Sequence, residues 1–233
     1  MEKKSLYHSH DKHYVAVDSI IFGFNDNELK LKLIKRKFEP CKGQWSLMGG
    51  FVRKNESLEE AAYRILEDLT GHKDIYLEQL YAYGNVNRDS EDRVISVAYY
   101  ALIKINEGEE EVGKKYGAKW FSIDKIPPLI FDHEEMVEKA KKRLRRKTII
   151  QPIGFELLPE KFTIPQLQKL YEAIHEKKLD KRNFRKKVLS MDVLTKLEEK
   201  DKKSSKRGAF LYKFDKDKYD YLVNEKGALF EIK

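Results

Sequence analysis

Residues 163–191 limit most narrowly what this chain can fold into. Thr163-Ile-Pro-Gln166 spells a capping box: a threonine hydroxyl to accept an N–H three residues on, proline where a first-turn donor is dispensable, and glutamine to reach back. Leu167, Leu170, Tyr171 and Ile174 follow at i, i+3, i+4 and i+7, so one face of a helix is apolar. The pattern fails at Glu176-Lys-Lys-Leu179, and Asp180 supplies a fresh N-cap for a second helix to about Ser190. Phe184, Val188 and Met191 face inward there. Lys181, Arg182, Arg185 and Lys186 form two i,i+4 pairs on the outside, with Asn183 beside them. Two short helices joined this tightly predict a helix-turn-helix.

The second helix carries the chemistry of base reading. Arginine grips guanine O6 and N7 with two parallel bonds, asparagine does the same for adenine, and lysine neutralises phosphate. Downstream, Val193–Leu197 and Ala209–Phe214 are expected to pair as a hairpin. Its tip, Lys200 to Gly208, includes Lys202, Lys203, Lys206 and Arg207, a set suited to phosphate or the minor groove. Charge agrees with this placement. Residues 151–233 hold 20 Lys and Arg against 14 Asp and Glu, a net of +6, whereas the formal charge of the whole chain is +8. A solvated lysine-rich surface is the ordinary fate of such a run. Helices, hairpin and basic tip in this order instead describe a winged helix, with double-stranded DNA as the expected partner.

Cys41 is the one cysteine, so no internal disulfide forms, which fits a reducing, cytoplasmic setting. No apolar run approaches the roughly 18 residues that span a bilayer, and Met1 to His10 lacks the apolar centre of a secretory leader. Membrane, secreted-scaffold and fibrous readings are excluded on this basis. His8, His10 and His13 lack a second ligand cluster and are read as a polar lead. Cys41 lacks the histidine–acid company of a nucleophile.

From Tyr14 to about Phe121 the pattern is mostly strand-like. Tyr14–Phe24 and Leu29–Ile34 flank the polar turn Asn25 to Glu28. Tyr76–Val86 and Val94–Ile105 flank the polar loop Asn87 to Asp92. One clear helix runs from about Ser57 to Thr70, with Gly71 as its stop. A mixed sheet with a packed helix, an α+β domain, is expected. Asp132 can cap a further helix to about Lys147, whose Met136, Val137, Ala140 and Leu144 share a face. Gln151-Pro-Ile-Gly154 then interrupts the helical pattern, giving domains 1–148 and 149–233.

Within the first domain Gly50, Glu56, Arg64 and Gly71 stand at the spacing GX5EX7REUXEEXGU, and the lead-in Trp45-Ser-Leu-Met-Gly-Gly-Phe-Val52 is also characteristic. This stretch resembles the Nudix box. In that family the box holds divalent cations that activate water against a diphosphate, which calls for carboxylates because hard cations prefer oxygen ligands. Laid over the signature, the glutamate after the arginine is Ile65, and the paired glutamates are Asp68 and Leu69. The two main ligand positions are therefore apolar and lie on one helix face. Arg64 and Asp68 can form an ordinary ion pair. The box is read as degenerate: no catalytic residue, no metal and no cofactor are assigned. A displaced cation set of Glu56, Glu59, Glu60 and Glu67, which would make the chain a hydrolase, is the rival reading.

A degenerate Nudix domain followed by Phe162–Ile174 and Leu179–Leu189 resembles the Nudix-related transcriptional regulators of the NrtR type, over nearly the whole chain. The resemblance implies a homodimer on a palindromic operator, acting as a repressor and released by a small molecule in the Nudix-like domain. Some members sense ADP-ribose in NAD metabolism, and others a pentose such as L-arabinose. A diphosphate sensor would draw on Arg36, Lys37, Arg53, Arg88 and Arg93. A sugar sensor would draw on Asp18, Trp45, Tyr83, Asn85 and Asn87 with an aromatic wall. The loss of the cation face, with the look of the N-terminal domain, favours the arabinose-responsive, carbohydrate-regulating branch. The effector set expected on that reading is Asp18, Arg36, Trp45, Tyr83, Asn85 and Asn87.

Overall fold

The computed structural model describes residues 6–71, 75–105, 117–151, 153–202 and 208–225. Strand β1 (Tyr14–Asn25) is central, and its residues from Val17 to Gly23 are buried without interruption. Such a run arises where both faces of a strand are covered. The two periodic sets of its side chains go to different layers. Val17 and Ile21 pack with Ala61, Ala62, Ile65 and Leu66 of helix α1 (Leu58–Thr70) in two adjoining clusters. Ile20 and Phe22 pack with Met136, Val137, Ala140 and Leu144 of helix α2 (His133–Ile150).

Strand β2 (Glu28–Lys35) returns antiparallel through a turn in which Asp26 and Asn27 both take positive φ, the geometry of a two-residue hairpin. The same edge of β1 then pairs with β4 (Met48–Phe51), after the short β3 (Trp45–Ser46) on β2. On its other side β1 runs parallel to β6 (Val94–Leu102), which pairs antiparallel with the edge strand β5 (Tyr76–Tyr83). Strand β7 (Ala118–Ser122), outside the sequence expectation, pairs with β2 and completes a seven-stranded mixed sheet.

Helix α1 begins at Ser57, which forms a reciprocal capping box with Glu60, and stops at Gly71 in the left-handed conformation, φ 74°. Helix α2 begins where Asp132 stands, but that residue makes no side-chain cap bond, a departure from the expected role. It also runs past Lys147 to Ile150 before Gln151 turns extended.

The second part is a winged helix. Helix α3 (Ile164–His175) carries the expected capping box between Thr163 and Gln166. Helix α4 (Lys181–Ser190) is capped by Asp180, whose carboxylate accepts the Asn183 N–H at 2.8 Å. Strand β8 (Phe162–Thr163) and β9 (Leu194–Asp201) flank β10 (Ala209–Phe214) in a three-stranded sheet. A helix absent from the sequence expectation, α5 (Lys216–Asn224), follows it. One apolar cluster runs unbroken from the large sheet through α2 into Leu167, Leu170, Tyr171 and Ile174 of α3.

Candidate functional site

The turn between α3 and α4 is held by a small polar lock. Glu172 accepts the Leu179 N–H at 2.9 Å, and Gln168 Nε2 donates both to Glu172 at 3.1 Å and to the Leu179 carbonyl at 3.0 Å. These bonds hold the Glu172 carboxyl below its ordinary range, led by the Leu179 N–H. Glu176 takes the left-handed conformation needed to leave the helix, φ 53°.

Beneath α4, Phe184 and Val188 are buried, with Phe184 edge-on to Tyr171 at 5.5 Å. Around the rest of the helix Lys181, Arg182, Asn183, Arg185 and Lys186 are all exposed. The structure therefore exposes five of the nine expected DNA-binding residues on one short helix. Lys202 is exposed beyond the end of β9, while Lys203, Lys206 and Arg207 lie outside the described residues. The wing also carries Lys196 and Lys200 over the Phe210 ring, at 3.8 and 4.5 Å from its centroid.

A cavity of about 300 Å³ opens at one end of the large sheet. Its wall includes Asp18 from β1, Lys35, Arg36, Lys37 and Phe38 from the end of β2, and Gly49, Gly50 and Phe51 from β4. Leu69 of α1, Arg88 and Asp89 of the β5–β6 loop, and Phe131 and His133 at the start of α2 complete it. Arg36 lies over the rings of Phe38 and Phe131, at 4.3 and 5.5 Å, and its Nε is buried without a hydrogen-bond partner. Such an atom is costly to leave unmatched.

At the inner end Asp18 accepts the Ser96 hydroxyl at 2.6 Å and lies 3.6 Å from Arg88 Nη2 and 3.7 Å from His133 Nε2. Arg88 itself donates twice to Asp132, at 2.9 and 2.8 Å. Burial opposes its charge, but the Asp132 bonds and the nearby Asp132 and Asp18 charges outweigh that and raise its pKa. His133 accepts the Leu47 N–H on Nδ1 at 3.1 Å, which places its proton on Nε2, facing Asp18. Burial keeps its pKa below the ordinary range, so the ring is neutral. Glycine is required at position 49 because a Cβ there would stand 2.1 Å from Asp18 Oδ1.

Of the expected effector residues, Asp18 and Arg36 line this cavity. Trp45, Tyr83, Asn85 and Asn87 do not. Trp45 packs edge-on against Phe121 at 4.8 Å. Tyr83 is buried beside Tyr81, and its hydroxyl pKa is raised by burial and the Glu135 and Asp132 charges. Asn85 is exposed and spends its side chain on the Asn87 N–H. Among the alternative basic set, Arg36, Lys37 and Arg88 line the cavity, and Arg53 and Arg93 do not. Lys35, Phe38, Asp89, Phe131 and His133 were not singled out by sequence. The one sign of them was position, at strand ends and at a helix start.

Ile65 and Leu69, at two positions of the box, present no side-chain oxygen. Ile65 is 4% exposed and packs on Gly50, whose absent Cβ would be 3.2 Å from Ile65 Cδ1. Leu69 gives the cavity an apolar wall. Glu56 takes two bonds from Arg64, with Arg64 Nε at 2.8 Å, and accepts the Arg53 N–H at 2.7 Å. The Arg64 bond chiefly holds its carboxyl at about 2. Arg64 lies 4.0 Å from Asp68. Glu60 is occupied by the helix cap.

Residues 12–143 match the NUDIX domain family, and residues 154–214 match the NrtR DNA-binding winged helix domain. The chain is 32% identical over 211 residues to the ADPR responsive transcriptional repressor NtrR of Acinetobacter baylyi, covering 89% of this chain and 84% of that protein. The crystal structure of Shewanella oneidensis NrtR complexed with a 27mer DNA superposes with a TM-score of 0.81 at 32% identity, covering 89% of this chain and 96% of that one. The NUDIX domain of the same Shewanella protein, complexed with ADP ribose, aligns at 29% identity with a TM-score of 0.52, over 61% of this chain and 94% of that one. With both parts matched in order, and a relative of this identity aligned along most of its length, the chain belongs to the NrtR-type family of Nudix–winged-helix transcriptional regulators.

Proposed function

We propose that this protein is a transcriptional repressor whose operator affinity is lowered when ADP-ribose, or a closely related nucleoside diphosphate sugar, occupies the cavity at the end of the large sheet. The observation that carries this reading is the similarity, over 89% of the chain, to a repressor described as ADPR responsive. The cavity supports it. Lys35, Arg36 and Lys37 border it together, and Arg36 has an unmatched buried donor. A diphosphate is an anion of the kind that arginine forks match.

L-arabinose, favoured by the sequence, fits less well on two grounds. The relatives named above are associated with ADP-ribose. The neutral polar groups expected to hold a sugar, Tyr83, Asn85 and Asn87, stand away from the cavity. In the proposed division residues 1–148 bind the effector and residues 149–233 bind DNA, as a homodimer on a palindromic operator. Binding without hydrolysis is proposed because Ile65 and Leu69 offer a cation no oxygen.

Calorimetric titration tests the effector. ADP-ribose is expected to bind, and Arg36→Ala to weaken it by roughly 10- to 150-fold, the loss of one charged hydrogen-bonding group. Heat from L-arabinose with none from ADP-ribose would reverse the assignment.

A further inference from the structure

We infer that the Arg88–Asp132 ion pair reports occupancy of the cavity to the DNA-binding part through helix α2. This rests on the phosphate-bearing effector proposed above. Arg88 belongs to the cavity wall, yet its guanidinium is committed to Asp132 by two bonds. Asp132 in turn stands at the N-cap of α2, where its carbonyl accepts the Met136 N–H at 3.2 Å. Its carboxylate makes no cap bond, being spent on Arg88. The first-turn N–H groups of a helix need such partners, and aspartate is among the best.

A ligand phosphate entering the cavity offers Arg88 a competing anion. As the guanidinium turns to it, the Asp132 carboxylate is freed to cap α2. His133, the next residue, is tied to Leu47 and faces Asp18, so the same movement is felt at the floor of the cavity. The start of α2 therefore has two arrangements, one for the empty cavity and one for the filled.

The other end of α2 is fastened to the helix-turn-helix. Arg145 Nε donates to the Ile174 carbonyl at 2.9 Å, and the same guanidinium pairs with Glu176. Lys141 lies 3.5 Å from Glu176, and Thr148 bonds His175 at 3.0 Å. Ile174 to Glu176 are the last turn and cap of α3, from which the chain passes to the exposed basic helix α4. Interleaved with these anchors, Arg143 and Lys147 hold the same stretch of α2 to Glu78 on β5, with Tyr76 and Tyr100 also bonded to that carboxylate. Contacts to β5 and to the end of α3 thus share residues 141–148 of α2, so a shift begun at Asp132 reaches the turn of the helix-turn-helix along one helix.

Two measurements on the full chain decide this: ADP-ribose affinity by calorimetry, and operator affinity with and without saturating ADP-ribose at one salt concentration. Asp132→Asn keeps a capping side chain and removes the charge that holds Arg88. It is expected to bind ADP-ribose at least as tightly as the unaltered protein. ADP-ribose should weaken operator binding by about 5- to 150-fold in the unaltered protein, the usual range of allosteric coupling, and by less than about twofold in the variant. Glu176→Gln, at the far end and outside the cavity, should keep the unaltered ligand affinity while losing part of the release. If circular dichroism shows D132N to be unfolded, Asp132→Ser carries the same expectation. Binding of ADP-ribose with full release in the Asp132 variant overturns this inference alone. No binding of ADP-ribose to the unaltered protein overturns the functional reading, and this one with it.

Discussion

Arginine at positions 182 and 185 is where the DNA-binding account is most exposed to test. Both side chains are exposed on α4, whose Phe184 and Val188 are buried. On the proposed docking, replacing either with alanine removes a base or phosphate contact, and it touches no core packing. Operator binding should weaken by about 1–3 kcal/mol where the arginine reads a guanine, with the melting temperature unchanged. Gel-shift titration beside thermal denaturation would check both halves. Normal binding by both variants would place the reading surface elsewhere. At this scale the sequence was informative about α4, because a short helix with an obvious apolar face leaves its other side chains outside. It was much less informative about the cavity. Lys35, Asp89 and His133 come from three segments far apart in the chain and carry no shared spacing. Asp132 was legible as a helix start, whereas its commitment to Arg88, 44 residues away, is a tertiary fact.

Elements defined by their own side chains were read accurately from the sequence. The Ser57 and Thr163 capping boxes and the Asp180 cap are closed local circuits, so the boundaries of α1, α3 and α4 needed no tertiary information. Thr163→Ala should cost about 1 kcal/mol, the usual loss of a cap. Chemical denaturation would measure it, and no loss would mean the Thr163–Gln166 circuit contributes nothing to the fold. Elements defined by their neighbours were harder. Strand β7 is five residues whose identity comes from pairing with β2. Helix α5 has a polar average and only a partial stripe, Tyr219 and Leu222, which pack on the core. Parallel pairing of β1 with β6 was likewise invisible, since register depends on what lies between the strands.

For the whole molecule the decisive feature is that α2 belongs to both parts. It covers one face of the large sheet through Met136, Val137, Ala140 and Leu144, and it grips the end of α3 through Arg145 and Thr148. A change at the cavity therefore has a physical path to the DNA-binding surface. Sequence reading foresaw both parts and their order, because each carries a local signature. The arabinose branch was favoured there because the apolar Ile65 and Leu69 were taken to argue against a metal-bound diphosphate, whereas the relatives named above are associated with ADP-ribose. Ile65 and Leu69 argue against a cation ligated at those two positions, and the basic edge formed by Lys35, Arg36 and Lys37 remains. The most direct test is a titration of operator DNA at a single fixed salt concentration, since phosphate contacts make affinity steeply ionic-strength dependent. ADP-ribose and L-arabinose would be added in separate experiments. The account predicts that ADP-ribose releases the DNA and L-arabinose leaves it bound. Release by L-arabinose alone would contradict it.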